Sequence, residues 1–237
     1  MIRDVGGSYR KAIVETVHHY SGTRPHAESI DALKAEGCWN NDWEASLELL
    51  RRQGEQELPA FEALVEVFND FYFGGDPGGD PAAWTGFIRN EPLLVESAFF
   101  AELSAANVRW GFVSGAEPPS ARFVLETRLG LQQPPLIAMG DAPDKPDPSG
   151  FLRLASALAP ASVPVAYLGD TVADVTTVVR ARQARSGQHF ISLGVAPPHL
   201  QDSHRRGAYE EQLRAAGADA VIARTSDVLA ALEQAIA

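Results

Sequence analysis

From about residue 94 onward the chain alternates short apolar runs with helical stretches, and no other feature constrains its fold as much. A helix over 95–106 precedes a strand at 108–113, and a helix over 117–129 precedes a strand at 135–139. Further strands are expected at 164–168, 189–194 and 219–223. Helices near 148–158, 171–185 and 205–216 separate them, and a terminal helix covers 226–236. Strands alternating with helices predict a parallel sheet covered on both faces. Near-continuous apolar runs such as Pro164-Val165-Ala166-Tyr167-Leu168 suit strands buried on both sides. The expected fold class is α/β, a doubly wound parallel sheet.

Residues 8–72 differ in kind, reading as successive helices without a convincing strand. Tyr9, Ile13, Val17 and Tyr20 mark one apolar stripe at helical spacing. Phe61, Leu64, Val65, Phe68, Phe71 and Tyr72 mark a second, read as helix-packing core rather than a cofactor box. Gly74-Gly75-Asp76-Pro77 and its repeat Gly78-Gly79-Asp80-Pro81, one four-residue unit written twice, form a turn-rich connector. Its acids lack the ligand spacing of a calcium loop.

Composition limits the partners. A formal charge of −11 opposes general binding to nucleic acid, whose phosphates demand a basic surface. No apolar run approaches the roughly 20 residues that a membrane helix needs, so no membrane partner is expected. The first residues lack the layout of a signal peptide. The one cysteine, Cys38, excludes an internal disulfide and fits a reducing cytoplasm. The six histidines form no metal-ligand spacing.

Three strand ends carry polar residues. Val165 through Asp174 is an apolar run that stops at two acids four positions apart, Asp170 and Asp174. Carboxylates at the carboxyl ends of parallel strands lie where open α/β sheets bind ligands, and paired acids suit a hard cation such as magnesium. A strand ending in a Gly-Asp turn, with Asp170 or Thr171 capping the next helix, fits the same residues. The strand at 108–113 ends in Ser114-Gly115 before Pro118-Pro119 opens a helix, an arrangement that serves either as an anion site or as a plain cap. Lys145 stands in Asp144-Lys145-Pro146-Asp147-Pro148, where prolines restrict the backbone that presents its ammonium.

In this order, each after an expected strand, Ser114-Gly115, Lys145-Pro146-Asp147-Pro148 and Gly169-Asp170-Thr171-Val172-Ala173-Asp174 resemble motifs two, three and four of the haloacid dehalogenase-like superfamily. The resemblance is to the branch with a helical cap inserted after the first core strand. It implies a Rossmann-like core from residues 1–7 and 93–237 and a cap from 8–92, with Gly7 through Ile13 as the transition. Most members of this branch are magnesium-dependent phosphohydrolases. An aspartate attacks phosphorus, a second aspartate two residues later protonates the leaving group, and water hydrolyses the aspartyl-phosphate. By resemblance Lys145 and Ser114 are catalytic, Ser114 and Gly115 bind substrate, and Asp170 and Asp174 serve the Mg2+ site as ligand and support. The implied partner is a small phosphorylated substrate.

Lys34 through Trp43 forms a polar turn between two expected helices, where this family's cap carries its specificity loop. Lys34, Asn40, Asn41 and Asp42 are therefore candidates for substrate contact. A capping turn in which Asn41 or Asp42 starts a helix over 43–54 suits the segment equally.

The family's first motif, an apolar strand followed by D-x-D-G, does not occur in the chain. Met1 through Ser8 resembles what normally follows that motif. The alignment implies that both catalytic aspartates fall upstream of Met1, that the true start is earlier, and that the first central strand is missing or stunted. The chain as given is expected to be inactive. Two other readings are a non-catalytic module that keeps the phosphate and metal pocket, and a metal-independent dehalogenase, against which Asp170 with Asp174 weighs.

Overall fold

The structure, a computed structural model, describes residues 1–39 and 41–236. The chain divides into two compact units, one formed by Asp4–Pro92 and the other by Met1–Arg3 with Leu93–Ala237. No helix among the described residues is long and apolar enough to cross a membrane.

The first unit is helical: α1 (Tyr9–Ser21), α2 (Ala27–Ala35), α3 (Asp42–Arg52) and α4 (Phe61–Tyr72). Ile13 and Val17 of α1 and Leu64, Phe68 and Tyr72 of α4 are buried at helical spacing. Tyr9 stacks on Tyr72 with ring centroids 4.0 Å apart. Phe61 departs from the expected stripe: it is 37% exposed, at the first turn of α4, and meets Trp43 only edge-on. Helix α1 stops at Gly22, whose left-handed backbone (φ 69°) suits a residue without a Cβ. The connector after α4 is built from Asp turns. Asp76 Oδ1 accepts the Gly78 N–H and Asp80 Oδ1 accepts the Ala82 N–H, each at 2.9 Å.

The second unit runs α5 (Ser97–Ala105), β1 (Phe112–Val113), α6 (Pro118–Arg122), β2 (Leu136–Ile137), α7 (Ser149–Leu158) and β3 (Val165–Gly169). It continues with α8 (Val172–Ala184), β4 (Phe190–Val195), α9 (Ser203–Ala215), β5 (Ala220–Ile222) and α10 (Val228–Ile236). All strand pairs are parallel. The expected helix over 117–129 is present but passes from α-helix into a π-helical stretch at Phe123–Arg128. Strands β1 and β2 are shorter than the apolar runs predict. Pro134 and Pro135 precede β2 and have no N–H to donate, so the ladder is confined to Phe112↔Leu136 and Val113↔Ile137.

The strands fall into two sheets, β1–β2 and β3–β4–β5. Among the described residues no strand joins β1 to β3. Burial records the difference: β4 is buried along its whole length, whereas Val165 through Leu168 of β3 are only half-buried. One apolar cluster nevertheless draws on both sheets, with Phe112 and Leu136 packed beside Ala166, Leu168, Ile191 and Leu193. Successive β3 side chains alternate between faces. Val165 and Tyr167 accordingly join a second cluster with Phe151, Val178, Ala181 and Phe190.

Candidate active site

Strand β3 ends at Gly169, and the chain turns into α8 through a capping box. Thr171 Oγ1 accepts the Asp174 N–H at 3.1 Å, while Asp174 Oδ2 accepts the Thr171 N–H at 3.1 Å and the Thr171 hydroxyl at 2.8 Å. Asp174 Oδ2 also accepts the Asp170 N–H at 3.2 Å. The capping reading of this segment is thus realised, but Asp174 does more than cap. Its other oxygen, Oδ1, lies 2.6 Å from Lys145 Nζ and accepts the Tyr167 hydroxyl at 3.1 Å.

Lys145 and Asp174 form an ion pair with side chains 18% and 4% exposed. Burial alone would push the Asp174 carboxyl up, but the Lys145 charge and hydrogen bond outweigh it and hold the group below the usual carboxylate range. Burial likewise works against the Lys145 charge, and the facing Asp174 carboxylate reverses the effect, so the ammonium is held more firmly than in water. The loop that presents Lys145 is pinned at its exit, where Asp147 Oδ1 accepts the Ser149 N–H at 2.8 Å and starts α7.

Ser114 follows β1, and its N–H continues the ladder to the Ile137 carbonyl at 2.8 Å. Its hydroxyl accepts the Ala116 N–H at 3.1 Å, a local cap. Ser114, Gly115 and Lys145 line one small cleft, together with Val113, Ile137 and Gly150. Two elements that are distant in sequence and were singled out separately therefore share one concavity.

Asp170 stands at the end of β3, with its carbonyl accepting the Tyr209 hydroxyl at 2.7 Å. Burial pushes its carboxyl up and the neighbouring Asp174 charge adds to the rise, outweighing the opposing charges of the Met1 amino terminus and Lys145. A desolvated carboxylate of this kind favours a cation beside it. Magnesium takes one or two protein carboxylates and fills its remaining positions with water and substrate oxygens, so Asp170 fits one ligand position. Asp174 fits less well as a direct ligand, because both its oxygens are taken by protein donors. Among the described residues no three His, Cys, Asp or Glu side chains gather in a way that would hold a metal ion.

In the helical unit, Lys34 Nζ lies 2.5 Å from Asp42 Oδ1 and 2.6 Å from the Trp39 carbonyl. Asn41 caps α3, its Oδ1 accepting the N–H groups of Trp43 at 3.0 Å and Glu44 at 3.2 Å. Asn40 lies outside the described residues. The capping alternative holds for Asn41, and Lys34 and Asp42 neutralise each other within the turn.

Sequence reasoning passed over two tyrosines. Tyr167 reaches Asp174 from within β3, and Tyr209 holds the Asp170 peptide from α9. Tyr167 carried a signal: a residue with a polar tip in an otherwise aliphatic strand needs a partner for its hydroxyl.

Comparison with known proteins completes the picture. The haloacid dehalogenase-like hydrolase family matches the chain over residues 9–182, well over half its length. The chain belongs to the haloacid dehalogenase-like hydrolases. Similar solved structures include a hydrolase from Pseudomonas syringae, 18% identical with a TM-score of 0.66, covering 99% of this chain and 94% of that one. A phosphonoacetaldehyde hydrolase-like protein from Oleispira antarctica is 14% identical with a TM-score of 0.68, covering 99% and 88%. A β-phosphoglucomutase from Clostridium difficile is 14% identical with a TM-score of 0.60, covering 99% and 92%. At these identities the likeness shows the shared fold. A Phytophthora nicotianae protein named imidazoleglycerol-phosphate dehydratase is 29% identical over 202 residues, which is 84% of this chain and 42% of that protein. The haloacid dehalogenase-like chain thus spans about two fifths of that relative's length.

Proposed function

We propose that this hydrolase acts on a small phosphorylated metabolite, cleaving a phosphoric monoester through an aspartyl-phosphate intermediate. The observation that carries the proposal is the single cleft in which Ser114 and Gly115 face Lys145, with Lys145 itself fixed on Asp174. The Ser114 hydroxyl and the amides beside it suit phosphate oxygens. The Lys145 ammonium adds a fixed positive charge where negative charge accumulates during phosphoryl transfer. Asp170 takes the role of magnesium ligand, and Asp174 orients Lys145 and the Asp170 peptide. Magnesium, when bound, offsets charge on the phosphoryl oxygens. In the helical unit, the turn from Lys34 to Asp42, with Asn40 and Asn41, is proposed to contribute to substrate choice.

Turnover needs a nucleophilic aspartate and its acid–base partner, and residues 1–237 contain no D-x-D-G after an apolar strand. The reading therefore holds for a form that carries those two aspartates, and residues 1–237 by themselves are proposed to bind phosphate without hydrolysing esters. The test compares them with a form that carries such a motif at its amino end, using p-nitrophenyl phosphate and magnesium chloride. Turnover is expected from that form alone, with inorganic phosphate binding to both. Equal turnover by both would show that the motif is not needed. Failure of either form to bind phosphate would remove the phosphohydrolase reading. An imidazole-bearing phosphate ester belongs in the substrate panel because of the name carried by the Phytophthora relative.

A further inference from the structure

We propose that Tyr167 is a positioning residue, whose phenol fixes the Asp174 carboxylate and through it places the Lys145 ammonium at the cleft. Its role in phosphate binding rests on the reading of that cleft given above, but its effect on Lys145 does not.

Tyr167 lies on the β3 face that packs against α7 and α8, and its ring sits 5.1 Å from that of Phe151 at 56°. A ring held in this way has two side-chain torsions, and packing fixes both, so the hydroxyl is delivered to one place. That place is 3.1 Å from Asp174 Oδ1 and 3.4 Å from the Val113 carbonyl. A phenol has one proton, and a carboxylate is a stronger acceptor than a neutral carbonyl. The main bond therefore goes to Asp174, with Val113 at the margin of hydrogen bonding.

The consequence follows from how Asp174 is held. Three donors around Thr171 grip Oδ2, and none of them reaches Oδ1, the oxygen that meets the Lys145 ammonium. Only Oδ1 faces Lys145, whose chain has four rotatable bonds and cannot by itself define a direction. The Tyr167 hydroxyl supplies a second, rigid anchor at Oδ1. Burial of the phenol, with the facing Asp174 charge, raises its pKa, so it remains a donor at any ordinary pH. Packing alone would be served as well by phenylalanine, which lacks this bond.

The chain has three lysines, Lys11, Lys34 and Lys145, so the ammonium groups of 15N-lysine-labelled protein can be followed separately by NMR. Tyr167→Phe is expected to speed proton exchange at the Lys145 ammonium about tenfold, the scale of one hydrogen bond to a charged group, with Lys34 as internal reference. Phe151→Leu, which loosens the ring but keeps the hydroxyl, is expected to speed Lys145 exchange by less than Tyr167→Phe does. Unchanged exchange in Tyr167→Phe, or equal acceleration in Phe151→Leu, would overturn the proposal. So would loss of folding in Tyr167→Phe with folding kept in Phe151→Leu, since the hydroxyl would then be a structural strut. Titration with inorganic phosphate separates the two readings. A wild-type chain that ignores phosphate defeats the proposed function, while the exchange rates still decide the role of Tyr167.

Discussion

A Cβ added to Gly169 would lie 2.2 Å from the Cβ of Asp174, far inside van der Waals contact. The glycine at the end of β3 is thus what lets the first turn of α8 come close enough for Asp174 to reach the strand end. Gly169→Ala is expected to push Asp174 outward, break its bond to Lys145 and cost about 1–3 kcal/mol, the usual range for overpacking. Urea unfolding gives the cost, and the Lys145 ammonium signal reports the lost pair.

The ion pair makes a prediction about pH whose sign can be reversed. In the wild type the Asp174 carboxyl is held low, so the pair's contribution is present above the unfolded carboxylate pKa of about 3.9 and is lost as pH falls through the lower folded value. In Lys145→Met the largest effect opposing burial is gone and only the Thr171 and Tyr167 hydrogen bonds remain, so Asp174 is expected to titrate above its unfolded value. That variant should be about 3–5 kcal/mol less stable at neutral pH, because a buried carboxylate loses its counter-charge. It should regain stability on mild acidification, where the wild type does not. Urea midpoints measured from about pH 2 to pH 8 check both signs.

Ser114→Ala removes one local cap and one hydroxyl of the cleft. The expected loss of stability is about 0.5–1.5 kcal/mol, as for one neutral hydrogen bond. Inorganic phosphate affinity, followed by calorimetry, should fall by about three- to tenfold from the same source. A stability loss without any loss of affinity would leave Ser114 as a cap alone.

In the helical unit, Asn41→Ala should destabilise α3 by about 1 kcal/mol through loss of its capping bonds. Asn41→Ser keeps an oxygen able to accept those bonds and should recover most of that cost. Thermal unfolding of the two variants side by side measures the difference.

The candidate site residues were legible in the sequence for a physical reason. Ser114, Lys145 and Asp170 each follow an apolar run, and strand ends are where a parallel sheet exposes polar groups. The alternating helices and strands were legible for the same reason, since burial on both faces of β4 demands an unbroken apolar run. What the sequence left dark depends on contacts between distant residues. The pairing of Lys145 with Asp174, and the approach of Tyr167 to both Asp174 and Val113, are not written in any local spacing. The truncation of β1 and β2 by Pro134 and Pro135 was visible in principle, because the missing N–H groups stand in the sequence.

The half-buried edge of β3 has a practical consequence. Strand β3 ends its sheet, with no strand paired to its far side among the described residues, and such an edge is a template for any extended peptide. A net charge of −11 keeps separate molecules apart in dilute, low-salt solution. Salt screens that repulsion but leaves backbone pairing intact. High salt is therefore expected to favour edge-to-edge strand pairing between copies, and low ionic strength to oppose it.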